Sequence, residues 1–127
     1  MTLRVSDLHA GYGRIEVCRG IDIHLADGEF LTVLGANGAG KTTLLGAIAG
    51  SVISRGRIDL DGKSLSGLNA RDRARCGLAL VPEGRRNLFS PLTVTENLQL
   101  GLRLLPGSER KAAQDELRSE ERRVGKE

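Results

Sequence analysis

The 127-residue chain has no tryptophan, one tyrosine and two phenylalanines. With so few flat side chains, the bases of a single-stranded nucleic acid would find almost no stacking platforms. Charge of one sign is also missing: 19 basic against 16 acidic side chains leave a net +3. The basic residues are scattered rather than gathered into a stripe, which argues against nucleic acid as the main partner. The two cysteines, Cys18 and Cys76, stand alone without metal-ligand spacing and fit a reducing compartment better than a disulfide framework. His9 and His24 are equally isolated and read as ordinary packing or surface residues. No signal peptide is recognisable and no apolar run is long enough to cross a bilayer, so any membrane role has to come through a partner. The length suits one domain with a modest core.

Glycine, by contrast, is plentiful, with 17 residues. The stretch Gly35-Ala36-Asn37-Gly38-Ala39-Gly40-Lys41-Thr42-Thr43 fits G-x-x-x-x-G-K-[ST], the phosphate-binding loop. Phe30 to Leu34 is a short, nearly continuous apolar run, as a buried strand should be. Leu44, Leu45 and Ile48 then recur at helical spacing up to Gly50, which can close the helix in a left-handed cap. Glycines at 35, 38 and 40 let the backbone curl so that successive N–H groups face one anion, assisted by the positive end of the following helix. Lys41 can reach the β- and γ-phosphates, and the Thr42 hydroxyl can ligate Mg²⁺. The alternative is a glycine-rich turn that happens to precede a helix; the full motif between strand and helix favours a nucleoside triphosphate site.

Along the chain, Leu3, Val5 and, less regularly, Leu8 suggest a first strand ending at Gly11-Tyr12-Gly13. Arg14 to Cys18 reads as a second short strand, and Ile21, Ile23 and Leu25 as a third with one wet face. Asp27-Gly28 turns into the strand that leads to the loop. Tyr12, flanked by glycines, is either an exposed ring able to stack on a base or a turn residue packed on the sheet edge. Arg57 to Gly62 predicts an alternating strand and a tight Asp-Gly hairpin. Asn69 can cap a short helix through about Arg75, whose three arginines favour a solvated face over a phosphate or partner contact. Leu78 to Val81 reads as a second buried strand, with Pro82-Glu83-Gly84-Arg85-Arg86 at its carboxyl end, the edge where ligands sit in open α/β sheets. Glu83 there could orient water or Mg²⁺, or belong to a plain polar loop. Thr93-Val94-Thr95-Glu96 is a capping box ahead of a helix with Leu98, Leu102 and Leu105 on one face, stopped by Pro106-Gly107. From Glu109 onward six acidic and six basic side chains crowd 19 residues, and Ala112, Ala113 and Leu117 could line a weak amphipathic helix.

Together these residues resemble the N-terminal half of an ABC-transporter ATPase subunit, over roughly residues 2–117. Gly35 to Thr43 matches its phosphate loop, Tyr12 its adenine-stacking aromatic, and Arg57 to Gly62 its β-subdomain hairpin. The segment Leu80-Val81-Pro82-Glu83-Gly84-Arg85-Arg86-Asn87-Leu88-Phe89, with Leu92-Thr93-Val94 and Glu96-Asn97-Leu98, is similar to the subunit of branched-chain amino acid importers that carries Glu at the Q-loop position. Urea and short-amide importers are close relatives. The resemblance implies an α/β P-loop fold, an antiparallel β-subdomain packed on part of the P-loop sheet. It implies ATP and Mg²⁺ held by Tyr12, Gly35 to Thr43 and the Thr42 hydroxyl, with Lys41 and Glu83 in catalytic positions. It also implies a second ATP-binding subunit as dimer partner, permease subunits touched through Glu83, Arg85 and Arg86, and, indirectly, a substrate-binding protein. The place of action would be the cytoplasmic face of the cytoplasmic membrane.

The sequence also departs from that pattern. Nothing in it resembles the family's LSGGQ signature, the apolar strand ending in Asp-Glu, or the switch histidine. Without them in-line attack would lack its water-positioning carboxylate and half its charge clamp. Arg118 to Glu127 resembles translated sequencing-adapter read-through, so residues 1–117 are expected to form part of a nucleotide-binding domain and 118–127 a non-native tail. The alternatives are a non-catalytic fragment that at most binds nucleotide, an importer ATPase for urea or short amides, and a P-loop small-molecule kinase. The last is disfavoured by the β-structure ahead of the loop.

Overall fold

The computed structural model describes residues 1–84, 87–103 and 105–124. The chain divides into two units, Met1–Leu80 and Val81–Glu127. In the first, β1 (Leu3–Tyr12), β2 (Ile15–Leu25), β3 (Ser54–Leu60) and β4 (Lys63–Ser64) form one antiparallel sheet in the order β2-β1-β3-β4. Helices α1 (Lys41–Ala49) and α2 (Ala70–Arg75) complete that unit. Val5, Leu8, Ala10, Cys18, Leu44, Ala47, Ile48, Ile58, Leu60 and Leu65 form its core.

The spacing of Val5 and Leu8 explains why the first strand looked irregular. Strict alternation would put them on opposite faces, yet both are buried. Asp7 sits between them at φ 48, and the pairing with β2 shifts by one residue between Val5↔Ile23 and Leu8↔Ile21. That extra residue is a β-bulge, and it returns Leu8 to the core side. Gly56 on β3 makes room for it: a Cβ there would lie 2.3 Å from the Asp7 carbonyl oxygen. A compensating shift on β2 falls near Gly20, at φ 66. Consequently β2 is one continuous strand, where the sequence suggested two, because the glycine bends the chain without ending its pairing with β1.

The Asp-Gly hairpin forms as expected, with Asp61 at φ 50 and Gly62 at φ 78, the two positive angles a tight hairpin turn requires. The α1 helix ends in Gly50 at φ 86, whose N–H reaches the Ala47 carbonyl. Asn69 caps α2 by accepting from the Asp72 N–H at 2.9 Å.

Two expected strands are not strands. Phe30 to Leu34 is irregular, with Phe30 90% and Leu34 86% exposed, while Val33 packs against the core. Leu78 to Val81 is also irregular: Leu78 touches the core, and Val81 is exposed. The apolar pattern is real, but a strand exists only where a neighbour takes its N–H and C=O groups. No strand among the described residues pairs with either segment. The antiparallel sheet is therefore formed, and no parallel strand pairing occurs among the described residues.

In the second unit, α3 (Val94–Leu102) begins with the predicted capping box, Thr93 and Glu96 each bonding the other's backbone N–H. It ends at Leu102, four residues before Pro106, and Pro106-Gly107 instead leads into α4 (Gly107–Val124). Leu98, Leu102 and Leu117 line a small cleft between the two helices. The predicted amphipathic helix is present, and it runs through Arg118 without a break.

Candidate nucleotide site

The loop from Gly35 to Gly40 has the curvature its glycines imply. Gly38 and Gly40 adopt φ 82 and 102, angles open to glycine and costly for other residues. Gly40 is the N-cap of α1 and offers no side chain, so the first-turn amides of that helix are left for a ligand. It also lies against β2, where a Cβ would meet Val17 Cγ1 at 2.8 Å, and its carbonyl accepts from Cys18 Sγ at 3.7 Å. Burial pushes the Cys18 thiol pKa up, which keeps this sulfur protonated as a donor.

Lys41 folds back over the loop, donating from Nζ to the Gly35 carbonyl at 2.5 Å and the Ala36 carbonyl at 2.8 Å. The ammonium is thereby held against the carbonyls at the start of the curl. Asn37 and Ala39 are exposed on that curl, and Ala39 N–H closes it on the Ala36 carbonyl at 3.1 Å. Thr42 is exposed, whereas Thr43 is buried with 6% of its surface accessible. This donor set suits a triphosphate with a hard cation: amides and an ammonium for the phosphates, and a free hydroxyl for the metal.

Tyr12 is brought to the helix that follows the loop. Tyr12 is 56% exposed at the β1–β2 turn, and its hydroxyl oxygen accepts from Thr43 Oγ1 at 3.4 Å. A residue far from the loop in sequence thus stands beside α1, more than half exposed. Gly11, which precedes it, is packed too tightly for a side chain, since a Cβ would fall 1.9 Å from the Ile15 carbonyl oxygen.

Glu83 is exposed in the second unit, and no hydrogen bond or ion pair with a described residue is made by it. Arg85 and Arg86 lie outside the described residues. Phe89, three residues past Arg86, is held by Asn97, which accepts from its N–H at 2.8 Å and donates to the carbonyls of Phe89, Leu92 and Thr93.

Arg73 is the residue the sequence misplaced. The three arginines of α2 suggested a solvated face, and Arg71 and Arg75 are exposed. Arg73 instead is 5% exposed and donates from Nη1 to the carbonyls of Ala47 and Ile48, each at 2.8 Å, and from Nε to Leu68 at 2.9 Å. It satisfies the carboxyl end of α1, where a cation is also favoured by the helix dipole. His9 likewise proves to be networked: its ring lies 2.6 Å from Glu16, 2.9 Å from Asp7 and 3.1 Å from Arg55.

Fold and loop together define the phosphate-loop class of protein, with two strands of the antiparallel sheet ahead of the loop and two after it. Residues 18–126 match the ABC transporter family, and the chain belongs to it. Relatives include the high-affinity branched-chain amino acid transport ATP-binding protein BraG of Pseudomonas aeruginosa, 45% identical over 91 residues (71% of this chain, 39% of BraG). The sn-glycerol-3-phosphate import ATP-binding protein UgpC of Cereibacter sphaeroides is 37% identical over 103 residues (80% of this chain, 28% of UgpC). The sulfate/thiosulfate import ATP-binding protein CysA of Yersinia pseudotuberculosis is 36% identical over 111 residues (87% of this chain, 30% of CysA). The chain therefore spans between 28% and 39% of the length of these relatives. No described helix is long and apolar enough to cross a membrane.

Proposed function

We propose that this chain is the nucleotide-binding portion of an ABC importer's ATP-binding subunit and that the whole protein couples ATP hydrolysis to branched-chain amino acid uptake. The observation that carries the nucleotide reading is the loop itself, with Lys41 poised over its carbonyls and the exposed Tyr12 ring beside α1. In this reading Tyr12 stacks on adenine, while Lys41 and the loop amides from Gly35 to Thr43 neutralise the phosphates. Thr42 holds Mg²⁺, and its exposed hydroxyl is free to do so. Mg²⁺ would supply charge neutralisation on the β- and γ-phosphates.

Glu83 is assigned to the Q-loop position, where a carboxylate accepts hydrogen bonds and, unlike an amide, donates none when ionised. With Arg85 and Arg86 it would face a permease subunit, and a second ATP-binding subunit would complete the dimer at the cytoplasmic face of the membrane. A binding protein delivers the substrate. The amino acid choice is supported by the likeness to BraG, the 45% match.

Equilibrium binding of Mg·ATP to the chain before and after Lys41→Ala tests the site. The lysine contributes a charged hydrogen bond to phosphate, so affinity should fall at least tenfold. Unchanged affinity overturns the phosphate-loop assignment. Uptake of labelled leucine by cells carrying the whole protein, lost when its phosphate-loop lysine is replaced, tests the transport reading separately.

A further inference from the structure

The β4 edge of the sheet carries a contact that the nucleotide site does not use. Lys63, on β4, donates from Nζ to Cys76 Sγ at 3.4 Å, joining positions 13 residues apart. The carboxylates beside them are engaged elsewhere. Asp61 accepts from the Thr2 N–H at 2.6 Å, and Asp72 pairs with Arg75 at 3.6 Å. Lys63 makes no ion pair with a described residue, so the sulfur is what its amine meets.

Both partners are held in place by backbone. Cys76 closes α2, and its N–H bonds to the Asp72 and Arg73 carbonyls at 3.2 and 3.0 Å. Its thiol is free and half-buried, packed against the core. Lys63 follows the Asp61-Gly62 turn, whose pairing sets it opposite Leu60. The two side chains line one cavity of about 690 Å³ with Leu60, Ser64 and Leu68, and a small oxidant can enter it. A thiol beside an amine has a chemistry that neither has alone. A hydroperoxide converts a thiol to a sulfenic acid, which a nearby nitrogen can capture as a sulfenamide.

We propose that Lys63 and Cys76 form a reversible redox cross-link, an S–N bond made when a hydroperoxide oxidises the sulfur. Hydrogen peroxide takes the Cys76 thiol to the sulfenic acid and is itself reduced to water. The Lys63 ammonium releases a proton to solvent, and its nitrogen attacks the sulfur. The S–N bond forms as the S–O bond breaks, and the departing hydroxide leaves as water with a second proton from nitrogen. An external thiol reverses the link by attacking the sulfur and releasing the amine; a second thiol then frees Cys76 and leaves as a disulfide. The bond ties the β3–β4 hairpin to α2, whose Arg73 holds the carboxyl end of α1. None of the residues from Gly35 to Thr43 takes part, so the cross-link stands or falls apart from the nucleotide reading.

The test treats the 127-residue chain with hydrogen peroxide at mildly alkaline pH, then maps its tryptic peptides by mass spectrometry. The expected product is residues 58–71 joined to the peptide that begins at Cys76, with cleavage after Lys63 lost and the pair short of two hydrogens. Dithiothreitol should restore the separate peptides and the cleavage. Closing the loop from Lys63 to Cys76 should raise Tm by roughly 10 °C, and dithiothreitol should cancel the rise. Lys63 is exposed, so Lys63→Arg keeps the fold and the charge while its guanidinium is too poor a nucleophile to form the link. In that chain the sulfenic acid persists, and its capture by dimedone should increase severalfold. Equal dimedone capture with and without Lys63 overturns the proposal. So does oxidation that ends in a sulfinic acid or in a disulfide to Cys18 or to a second chain, and so does a linked chain that melts with the reduced one.

Discussion

Replacing Arg73 by Met removes a guanidinium while keeping most of the side chain's length and volume. Arg73 is 5% exposed and donates three hydrogen bonds to carbonyl oxygens, two of them on the last turn of α1. Each charged hydrogen bond is worth about 1.5–3 kcal/mol. The Ala47 carbonyl keeps a bond from the Gly50 N–H at 3.3 Å, so its loss is only partial. Burying a guanidinium carries its own desolvation cost, which the methionine avoids. The balance is a destabilisation of about 2–4 kcal/mol, which lowers Tm by roughly 10–25 °C in a unit of this size. Urea unfolding followed by tyrosine fluorescence reports it cleanly, because Tyr12 is the only tyrosine and the chain has no tryptophan. Arg73→Lys should recover less than half the loss, since an ammonium cannot span three carbonyls with a planar fork. Arg71→Met, on the exposed face, should shift the midpoint negligibly. An Arg73→Met chain as stable as the unaltered one would refute the argument that this residue ties α2 to the end of α1.

Two further outcomes follow from the same geometry. Gly40→Ala adds a Cβ 2.8 Å from Val17 Cγ1 at a backbone φ of 102, so it should cost about 2 kcal/mol and weaken Mg·ATP binding; Val17→Ala in the same chain should restore part of the stability, and no rescue would place the cost elsewhere. The His9–Glu16 pair should stabilise the fold fully only between the ordinary pKa values of its members, 4.5 for Glu16 and 6.5 for His9. Hydrogen bonds to Glu16 and then Asp7 raise the folded His9 value, so its contribution is complete below 6.5 and fades as pH rises through the folded value. Glu16 is lowered, chiefly by His9, so its contribution is complete above 4.5 and fades as pH falls through its folded value. The stability difference between the unaltered chain and His9→Gln, measured by urea unfolding across pH, should be flat in that window and shrink on both sides. A difference that persists to pH 9 would contradict it.

The sequence by itself determined whatever depends on neighbours in the chain. The phosphate-loop curl, the Gly50 and Asn69 caps, the Asp61-Gly62 turn and the Thr93 capping box all close within a few residues, and each stands where its local chemistry put it. What depends on distant partners was decided by tertiary structure. Phe30 to Leu34 and Leu78 to Val81 have the composition of buried strands. No strand among the described residues pairs with them, and composition cannot supply a partner's hydrogen bonds. The bulge at Asp7 needed Gly56 on another strand to admit it, and that meeting is invisible in either segment alone. Arg73 belongs with its neighbours Arg71 and Arg75 in sequence; only the packing of α2 against the end of α1 turns one of the three inward. Tyr12 is the intermediate case: its flanking glycines left open an exposed ring or a turn residue packed on the sheet edge, and the folded sheet leaves it 56% exposed with its hydroxyl on Thr43 of α1.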